Sequence, residues 1–347
     1  MMSEQPWDRL CRWYQQSHRN LPWRNTSDPY AIWVSEIMLQ QTQVKTVIPY
    51  YERFLLSFPT IKALADADID SVRSHWSGLG YYSRASHLHR GARYLVERCD
   101  GQFPRDLKTC LKIPGIGPYT AGAILSIAFD QAVPIVDGNV QRVFSRYFAF
   151  HPPSQAARAK SFFWDKATQW VSKSQPPRIL NQALMELGAT LCTRHNPDCD
   201  RCPLRVGCQA CKRGLQNHLP IKTNRPSTQK LWWLSSVFCT KDSVFLRQND
   251  RSGWWQGLWD FPHEEASSQI ALEKAIQSVH SRIANAYCLE LPAIRHTVTR
   301  YSLQVRPVLC VVRNKTSVRL EGAWHKRRDA ETLPLSSLAK KILVMIE

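Results

Sequence analysis

Hydrophobic and polar residues follow two different periods along the chain. From residue 7 to about 214, apolar positions recur every three to four residues between turns, which predicts helices. After about residue 230, strands are predicted over WWLSSVFC, SVFLRQ and YSLQVRPVLCVV, with a helix over SSQIALEKAIQSVHSRI. The pattern therefore predicts a mainly α N-terminal region followed by a small α+β domain.

Two helices stand out in the first region. One is predicted over DPYAIWVSEIMLQQTQVKTVI, with Asp28 as N-cap and Pro29 at the first helical position. Another is predicted over NQALMELGATLC and leads to Cys192. The polar, proline-containing stretch QNHLPIKTNRPSTQK indicates a linker. With 347 residues, more than one core is expected, and we predict domains over 1–214 and 230–347 joined by a linker over 215–229.

The formal net charge of +18 favours a folded surface that meets a polyanion, and nucleic acid is the most common polyanion. Charge alone also fits a soluble protein that is merely basic. The chain shows no apolar run long enough to span a bilayer and no secretory signal pattern, so we expect a cytoplasmic protein without a membrane partner. In that reducing compartment, clustered cysteines bind metal more often than they form disulfides.

Five of the 11 cysteines lie within the stretch from Cys192 to Cys211. Two metal sites are compatible with their spacing. Cys199-x2-Cys202 with Cys208-x2-Cys211 would give four thiolates for zinc, although the two pairs are closer in sequence than in most zinc ribbons. Cys192-x6-Cys199-x2-Cys202-x5-Cys208 would instead give four thiolates for an iron–sulfur cluster.

Three further segments carry candidate chemistry. In LKIPGIGPYTAGAIL, Gly115 and Gly117 precede a helical pattern, so their amides could bind phosphate, although an ordinary interhelical turn also fits. Asp137 in IVDGNVQRV is either a helix N-cap or a functional carboxylate, and one residue can be both. Glu36 has apolar neighbours, which would raise its pKa and make it a general acid if it is buried, whereas a solvated helix edge is the alternative.

Three motifs together resemble those of the MutY-type adenine DNA glycosylases of the endonuclease III superfamily. They are SEIMLQQTQV, the Pro-Gly-Ile-Gly hairpin followed by IVDGNVQRV, and the C-x6-C-x2-C-x5-C spacing. The resemblance covers almost the entire chain. It implies a helix-hairpin-helix glycosylase fold with a six-helix barrel module over about 25–133, an iron–sulfur module from 1–24 plus 134–214, and a C-terminal Nudix-like domain. It also implies a [4Fe–4S] cluster on Cys192, Cys199, Cys202 and Cys208.

The resemblance further implies roles for single residues. Glu36 would protonate the adenine, Asp137 would stabilise the cationic sugar, and Tyr119 would assist from the position where strand-cleaving relatives have a lysine. It implies adenine contacts for Trp23, Arg24 and Gln182, and DNA contacts for Gln41, Tyr81, Gly115, Gly117 and Thr299. For Tyr81, an aromatic residue packed at a helix end remains the alternative.

The C-terminal region departs from two patterns. Its helical segment offers only Glu273, so the clustered glutamates of Nudix hydrolases are missing. The family's Phe-Ser-His loop is replaced by Val298-Thr299-Arg300. We expect a monomer that removes adenine opposite 8-oxoguanine or guanine in double-stranded DNA. The alternatives are a thymine (T:G) mismatch glycosylase and a non-catalytic iron–sulfur DNA-binding regulator.

Overall fold

The computed structural model describes residues 4–153, 156–174, 176–221, 227–249, 254–282 and 286–346. The chain forms two compact units: Met1–Asp66 with His87–Asn224, and Ala67–Ser86 with Arg225–Glu347. The segment 67–86, which precedes the hairpin in sequence, thus groups with the C-terminal residues. Part of the predicted linker, residues 222–226, lies outside the described residues.

The first unit is helical in its described residues, as the apolar period predicted. Asp28 caps helix α2 (Pro29–Leu39), because its side chain accepts hydrogen bonds from the backbone amides of Tyr30 and Ala31. The helices of this unit are α1 (Pro6–Ser17), α2 (Pro29–Leu39), α3 (Val44–Ser57), α4 (Ile61–Asp66), most of α6 (Ser83–Arg98), α7 (Leu107–Cys110), α8 (Pro118–Phe129), α9 (Gly138–Tyr147), α10 (Ala157–Val171), α11 (Pro177–Thr190) and α12 (Gln209–Lys212).

The prediction of one continuous helix through Gln41 and Gln43 is wrong. Helix α2 ends at Leu39, and Gln41 has a φ of 58°, a left-handed conformation that no α-helix accommodates. The chain then restarts as α3 at Val44. The glutamine-rich segment is therefore a loop, and its exposed member Gln41 does not share the buried face of α2.

The core of the first unit lies mainly among α1, α9, α10 and α11, where Leu10, Phe144, Phe163 and Leu184 are buried together. A smaller cluster joins α2 to α8 through Ile32, Ala123 and Ile127. These two clusters fix the helices that carry the polar residues described below.

In its described residues, the second unit combines one eight-stranded mixed sheet with helices, as the predicted α+β class requires. Strand β1 (Gln229–Cys239) pairs in parallel with β7 (Tyr301–Val311) and antiparallel with β2 (Ser243–Gln248) and β4 (His263–Ala266). Strands β5 (Tyr287–Glu290) and β6 (Ile294–Val298) pair antiparallel with β7. Its elements are α5 (Ile69–Trp76), β1 (Gln229–Cys239), β2 (Ser243–Gln248), β3 (Trp259–Asp260), β4 (His263–Ala266), α13 (Gln269–Arg282), β5 (Tyr287–Glu290), β6 (Ile294–Val298), β7 (Tyr301–Val311), β8 (Ala323–Lys326), α14 (Arg327–Ala330) and α15 (Ser337–Leu343).

Helix α13 packs against this sheet through Leu272 and Ile276, which are buried with Leu234 and Val308. At one end of the sheet, β6 and β7 form a hairpin whose two-residue turn is Thr299-Arg300. Within the described ranges of both units, no helix is long and apolar enough to cross a membrane.

Candidate active site

A cleft of about 680 Å³ opens in the first unit. It is lined by side chains from α2, α8 and α11, from the start of α9, and from the segment between α1 and α2. Glu36, Tyr119 and Asp137 all face it, although the first and last are separated by a hundred residues of sequence. Its size is within the range of small-molecule sites, so it can admit one nucleotide.

Glu36 lies in the C-terminal half of α2 and is only 5% exposed. Burial raises the pKa of Glu36 to about 7, because the charged form loses its hydration. The hydrogen bond from Tyr119 and the charge of Arg24 lower this pKa, while the charge of Asp137 raises it. A carboxyl group with this balance is partly protonated at neutral pH, as a general acid must be.

Tyr119 is the second residue of α8, and its hydroxyl contacts two groups in the cleft. It donates a hydrogen bond to Glu36 Oε2 at 2.5 Å and lies 3.5 Å from the Met185 sulfur. Burial raises the pKa of Tyr119 well above its ordinary value, and the neighbouring carboxylates raise it further. The tyrosine therefore keeps its proton and acts as a donor.

Asp137 is the N-cap of α9, which was one of the two roles predicted for it from the sequence. Its Oδ1 accepts from the Val140 amide at 2.7 Å, and its Oδ2 accepts from Asn139 Nδ2 at 2.9 Å. Burial raises the pKa of Asp137, while these hydrogen bonds act against the rise. Asp137 thus accepts stabilising hydrogen bonds from Val140 and Asn139, whereas Glu36 accepts one from Tyr119.

Behind Asp137, Arg142 connects three segments of the chain. Its Nη2 donates to Asn139 Oδ1 and to the Gly188 carbonyl, both at 2.7 Å, and its Nε donates to the Cys192 carbonyl at 2.8 Å. A Cβ atom at Gly188 would lie 2.6 Å from the Asn139 Cβ, so a larger residue would push Asn139 away. The position of Asp137 therefore depends on α11 and on the start of the cysteine loop.

An ion-pair cluster around the buried carboxylate of Glu186 forms another wall of the cleft. Glu186 accepts from Arg19 Nη2 at 2.7 Å and from Arg24 Nη2 at 2.6 Å. These guanidinium groups hold the pKa of Glu186 at about 2, although burial alone would raise it. Arg24 is fixed in this way beside the cleft, with its guanidinium over the ring of Tyr14.

The hairpin before α8 carries Gly115 and Gly117. Gly115 has a φ of 81°, a left-handed conformation that glycine adopts without strain, and Gly117 is the N-cap of α8 without a side-chain cap. Among the residues that the structure describes, neither glycine amide has a hydrogen-bond acceptor. Bare amides at a helix N-terminus can bind a phosphate.

The cysteine loop encloses a second, apolar cavity in the same unit. Val143, Leu187, Leu191 and Leu204 line it, together with Cys192, Cys199, Cys202, Cys208 and Cys211. Buried Arg146 lies at its edge and donates to the Cys192 sulfur at 3.3 Å and to the Thr193 carbonyl at 2.7 Å. Five cysteines around an apolar cavity, with an arginine beside them, form a setting for a metal centre.

Comparison with known proteins identifies this arrangement. Residues 34–168 match the HhH-GPD superfamily of base excision DNA repair proteins, and residues 235–345 match the NUDIX domain. The adenine DNA glycosylase of Buchnera aphidicola subsp. Baizongia pistaciae is 33% identical over 346 residues, which cover 97% of this chain and 95% of that protein. The chain belongs to the adenine DNA glycosylase family.

The human adenine DNA glycosylase is 34% identical over 395 residues, an alignment that covers 96% of this chain and 72% of the human protein. Among solved structures, a thermostable thymine-DNA glycosylase is 26% identical with a TM-score of 0.55, covering 60% of this chain and 95% of its own. The predicted family, fold class and enzyme class are confirmed: an adenine DNA glycosylase with a helical glycosylase region and a Nudix-like domain containing a sheet.

Membership of this family implies a metal cluster, and the cavity fits one. The side-chain oxygen of Gln216 lines the cavity and is buried without a hydrogen-bond partner among the described residues. No three Cys, His, Asp or Glu side chains within the same ranges are arranged around a single ion.

The other predicted site residues fall into two groups. Trp23 and Gln182 line the cleft with Arg24; Trp23 is buried against Tyr51, and Gln182 accepts from the Tyr14 hydroxyl at 3.0 Å. Gln41 also lines the cleft, on the loop after α2. Tyr81 and Thr299 belong to the second unit, where both are exposed.

Four residues at this site were not singled out from the sequence. They are Arg19, Asn139, Arg142 and Glu186. Asn139 lies two residues after Asp137, within the range where a side chain bonds a helix cap, so a local signal existed for it. The partners of Glu186 precede it by more than 160 residues, and no local pattern connects them.

Proposed function

We propose that this enzyme hydrolyses the N-glycosidic bond of adenine paired with 8-oxoguanine or guanine, without cutting the strand. We also propose that it acts as a cytoplasmic monomer. The observation that carries the proposal is Glu36, a buried carboxyl group with a pKa of about 7 in the same cleft as Asp137. Two carboxyl groups in different environments are the arrangement expected when one donates a proton and the other remains an anion.

Adenine within a duplex cannot reach a buried carboxyl group, so its nucleotide must rotate out of the base stack. This rotation costs a few kcal/mol, and a mispair lowers the cost. The cleft offers the flipped base the ring of Trp23, the amide of Gln182 and the guanidinium of Arg24. Because the ion pair with Glu186 holds Arg24 in place, its guanidinium is already positioned before the base arrives.

In the chemical step, Glu36 delivers its proton to adenine N7, and the electrons of the N9–C1′ bond leave with the base. The sugar becomes a cation resembling an oxocarbenium ion, and the carboxylate of Asp137 stabilises it electrostatically or through a transient covalent bond. Water then adds its oxygen to C1′ and releases a proton. Tyr119 donates to Glu36 Oε2 and so keeps that carboxyl group oriented.

Strand cleavage by a lyase needs an amine that forms a Schiff base with the sugar. No lysine stands between Lys112 and Lys160, and Tyr119 lies where such an amine would be needed. Base removal without an efficient lyase step follows from this chemistry.

The cysteine cavity would hold a [4Fe–4S] cluster on Cys192, Cys199, Cys202 and Cys208. When bound, the cluster supplies order rather than chemistry, because it fixes a loop that also carries Arg194, Arg201 and Arg205. Exposed arginines on an ordered loop suit the phosphates of DNA.

Gln41, Tyr81 and Thr299 are proposed to contact the duplex around the mispair. Each has a positive φ, of 58°, 50° and 52° respectively. A non-glycine residue in this conformation costs about 1–2 kcal/mol, and such costs concentrate at functional sites. Thr299 is flanked by Val298 and Arg300 rather than by the family's usual residues, so we expect a weaker or differently achieved preference for 8-oxoguanine.

One assay tests the proposal. Duplexes with A opposite 8-oxoguanine, guanine or cytosine, and with T opposite G, are incubated with excess enzyme and then treated with alkali. We expect product from the first two alone, and no cut strand before alkali. Release of thymine from T:G would favour the alternative substrate, and binding without base release would contradict catalysis.

A further inference from the structure

The cavity of the cysteine loop contains one thiol more than a [4Fe–4S] cluster needs. Cys211 lies on the short helix α12, three residues after Cys208, and residues with that spacing share a helix face. It therefore lines the same cavity as the four residues of the C-x6-C-x2-C-x5-C series. The function proposed above gives Cys211 no role.

Cys211 contacts one of the four cysteines through its side chain. Its thiol forms a hydrogen bond with the thiol of Cys199, and its backbone amide donates to the Cys208 sulfur. Cys192 and Cys202 instead pack against the helical core, and the electrostatic neighbours of Cys202 are Cys192, Cys199 and Cys208. Cys211 thus lies beside both Cys199 and Cys208, and its side-chain hydrogen bond is with Cys199.

We propose that Cys211 is a reserve ligand for the iron that Cys199 binds. Were the bond between Cys199 and that iron to open, the sulfur of Cys211 would bind the iron in its place, and the proton of the Cys211 thiol would pass to Cys199. No electron is transferred. This inference rests on the iron–sulfur assignment made above.

Iron content and electron paramagnetic resonance test the proposal on the full chain, purified without oxygen. Cys199→Ala and Cys211→Ala are each expected to retain about four irons per chain, as Cys₄ ligation of a cubane requires. The double variant should lose at least one iron and show the signal of a three-iron cluster, or no cluster. Cys202→Ala is the matched control, and it should lose iron although Cys211 is present.

The proposal is overturned if Cys199→Ala is as iron-depleted as the double variant, or if Cys202→Ala retains iron equally well. Because Cys199→Ala could misfold, a second measurement uses Cys211→Ala alone. Iron loss to a chelator should be about 10-fold faster than in the parent chain, since nothing recaptures the opened site. Equal rates would contradict a reserve ligand. If the parent chain binds zinc or no metal, the iron–sulfur assignment is wrong and the reserve-ligand proposal fails with it. The base-release assay on the same chain tests the proposed catalytic function separately.

Discussion

Tyr119 donates a hydrogen bond to Glu36 Oε2 across 2.5 Å, and this bond joins the N-terminus of α8 to the buried C-terminal half of α2. It acts on Glu36 in the opposite sense to burial, because a bond donated to a carboxylate stabilises the charged form. The resulting pKa of about 7 leaves Glu36 able to hold a proton and to release it. The tyrosine therefore lowers the proton affinity of Glu36 from the value that burial alone would give.

The pH dependence of base release should follow Glu36. Since its pKa is raised to about 7, the protonated form dominates below that pH and is lost above it. Single-turnover rates on A:8-oxoguanine duplexes should therefore fall by about tenfold per pH unit well above pH 7. Glu36→Gln should lower the rate by about 10²–10⁴-fold and abolish the fall in rate above pH 7, which is the alkaline limb of the rate profile. Adenine release that persists unchanged in Glu36→Gln would refute the assignment of the acid.

Tyr119→Phe removes the bond that lowers the pKa of Glu36. The pKa of Glu36 should then rise further, and the alkaline limb of the rate profile should move to higher pH. The position of the limb is the readout, because the rate itself can also change through lost orientation. A limb that stays in place would show that the bond does not set the proton affinity of the acid.

Asn139→Ala removes a donor to Asp137 Oδ2. Because that bond favours the charged form, the pKa of Asp137 should rise when it is lost. The acidic limb of the rate profile should shift upward accordingly. Gln141 lines the same cleft, but its side chain forms no hydrogen bond with Asp137 within the described residues. The control variant Gln141→Ala should therefore leave the acidic limb of the rate profile in place.

Glu186→Gln should destabilise the first unit, because it leaves the largely buried guanidinium of Arg24 without its counter-charge. Breaking a buried pair costs about 3–5 kcal/mol, measured here as the free energy of unfolding in urea at pH 7. Since the pKa of Glu186 is held at about 2, its contribution is complete above the unfolded value and is lost as the pH falls towards 2. Asp66→Asn, which removes an exposed pair with Lys62, should change stability far less.

Binding to DNA should weaken steeply with salt, with a log–log slope of about −0.9 per neutralised phosphate. Arg194 is exposed and forms no ion pair within the described part of the chain. Arg194→Ala should reduce the magnitude of this slope by about 0.9, the contribution of one phosphate contact, as measured by fluorescence anisotropy titration with an undamaged duplex. Arg205 already pairs with Asp200 at 2.8 Å, so Arg205→Ala should reduce it less. Equal slopes for Arg194→Ala and the parent would exclude Arg194 from the phosphate contacts.

Several features followed from local sequence. The apolar period predicted the helices, and Asp28 and Asp137 were recognisable as possible caps. For Glu36, the sequence pattern left both burial and a solvated helix edge open. Each of these signals acts over a few residues, because helix periodicity and capping depend only on nearby side chains. The cysteine spacing is local in the same sense, and it indicated a metal site before any geometry was known.

Other features required the packed chain. The end of α2 at Leu39, the pairing of Glu186 with Arg19 and Arg24, and the contact between Cys199 and Cys211 have no counterpart in the periodic pattern. The sequence by itself determined which residues form helices and which carry acids or thiols. Only the tertiary structure decided which of them meet, because hydrogen bonds and ion pairs across more than a hundred residues exist only after the apolar faces of the helices have packed.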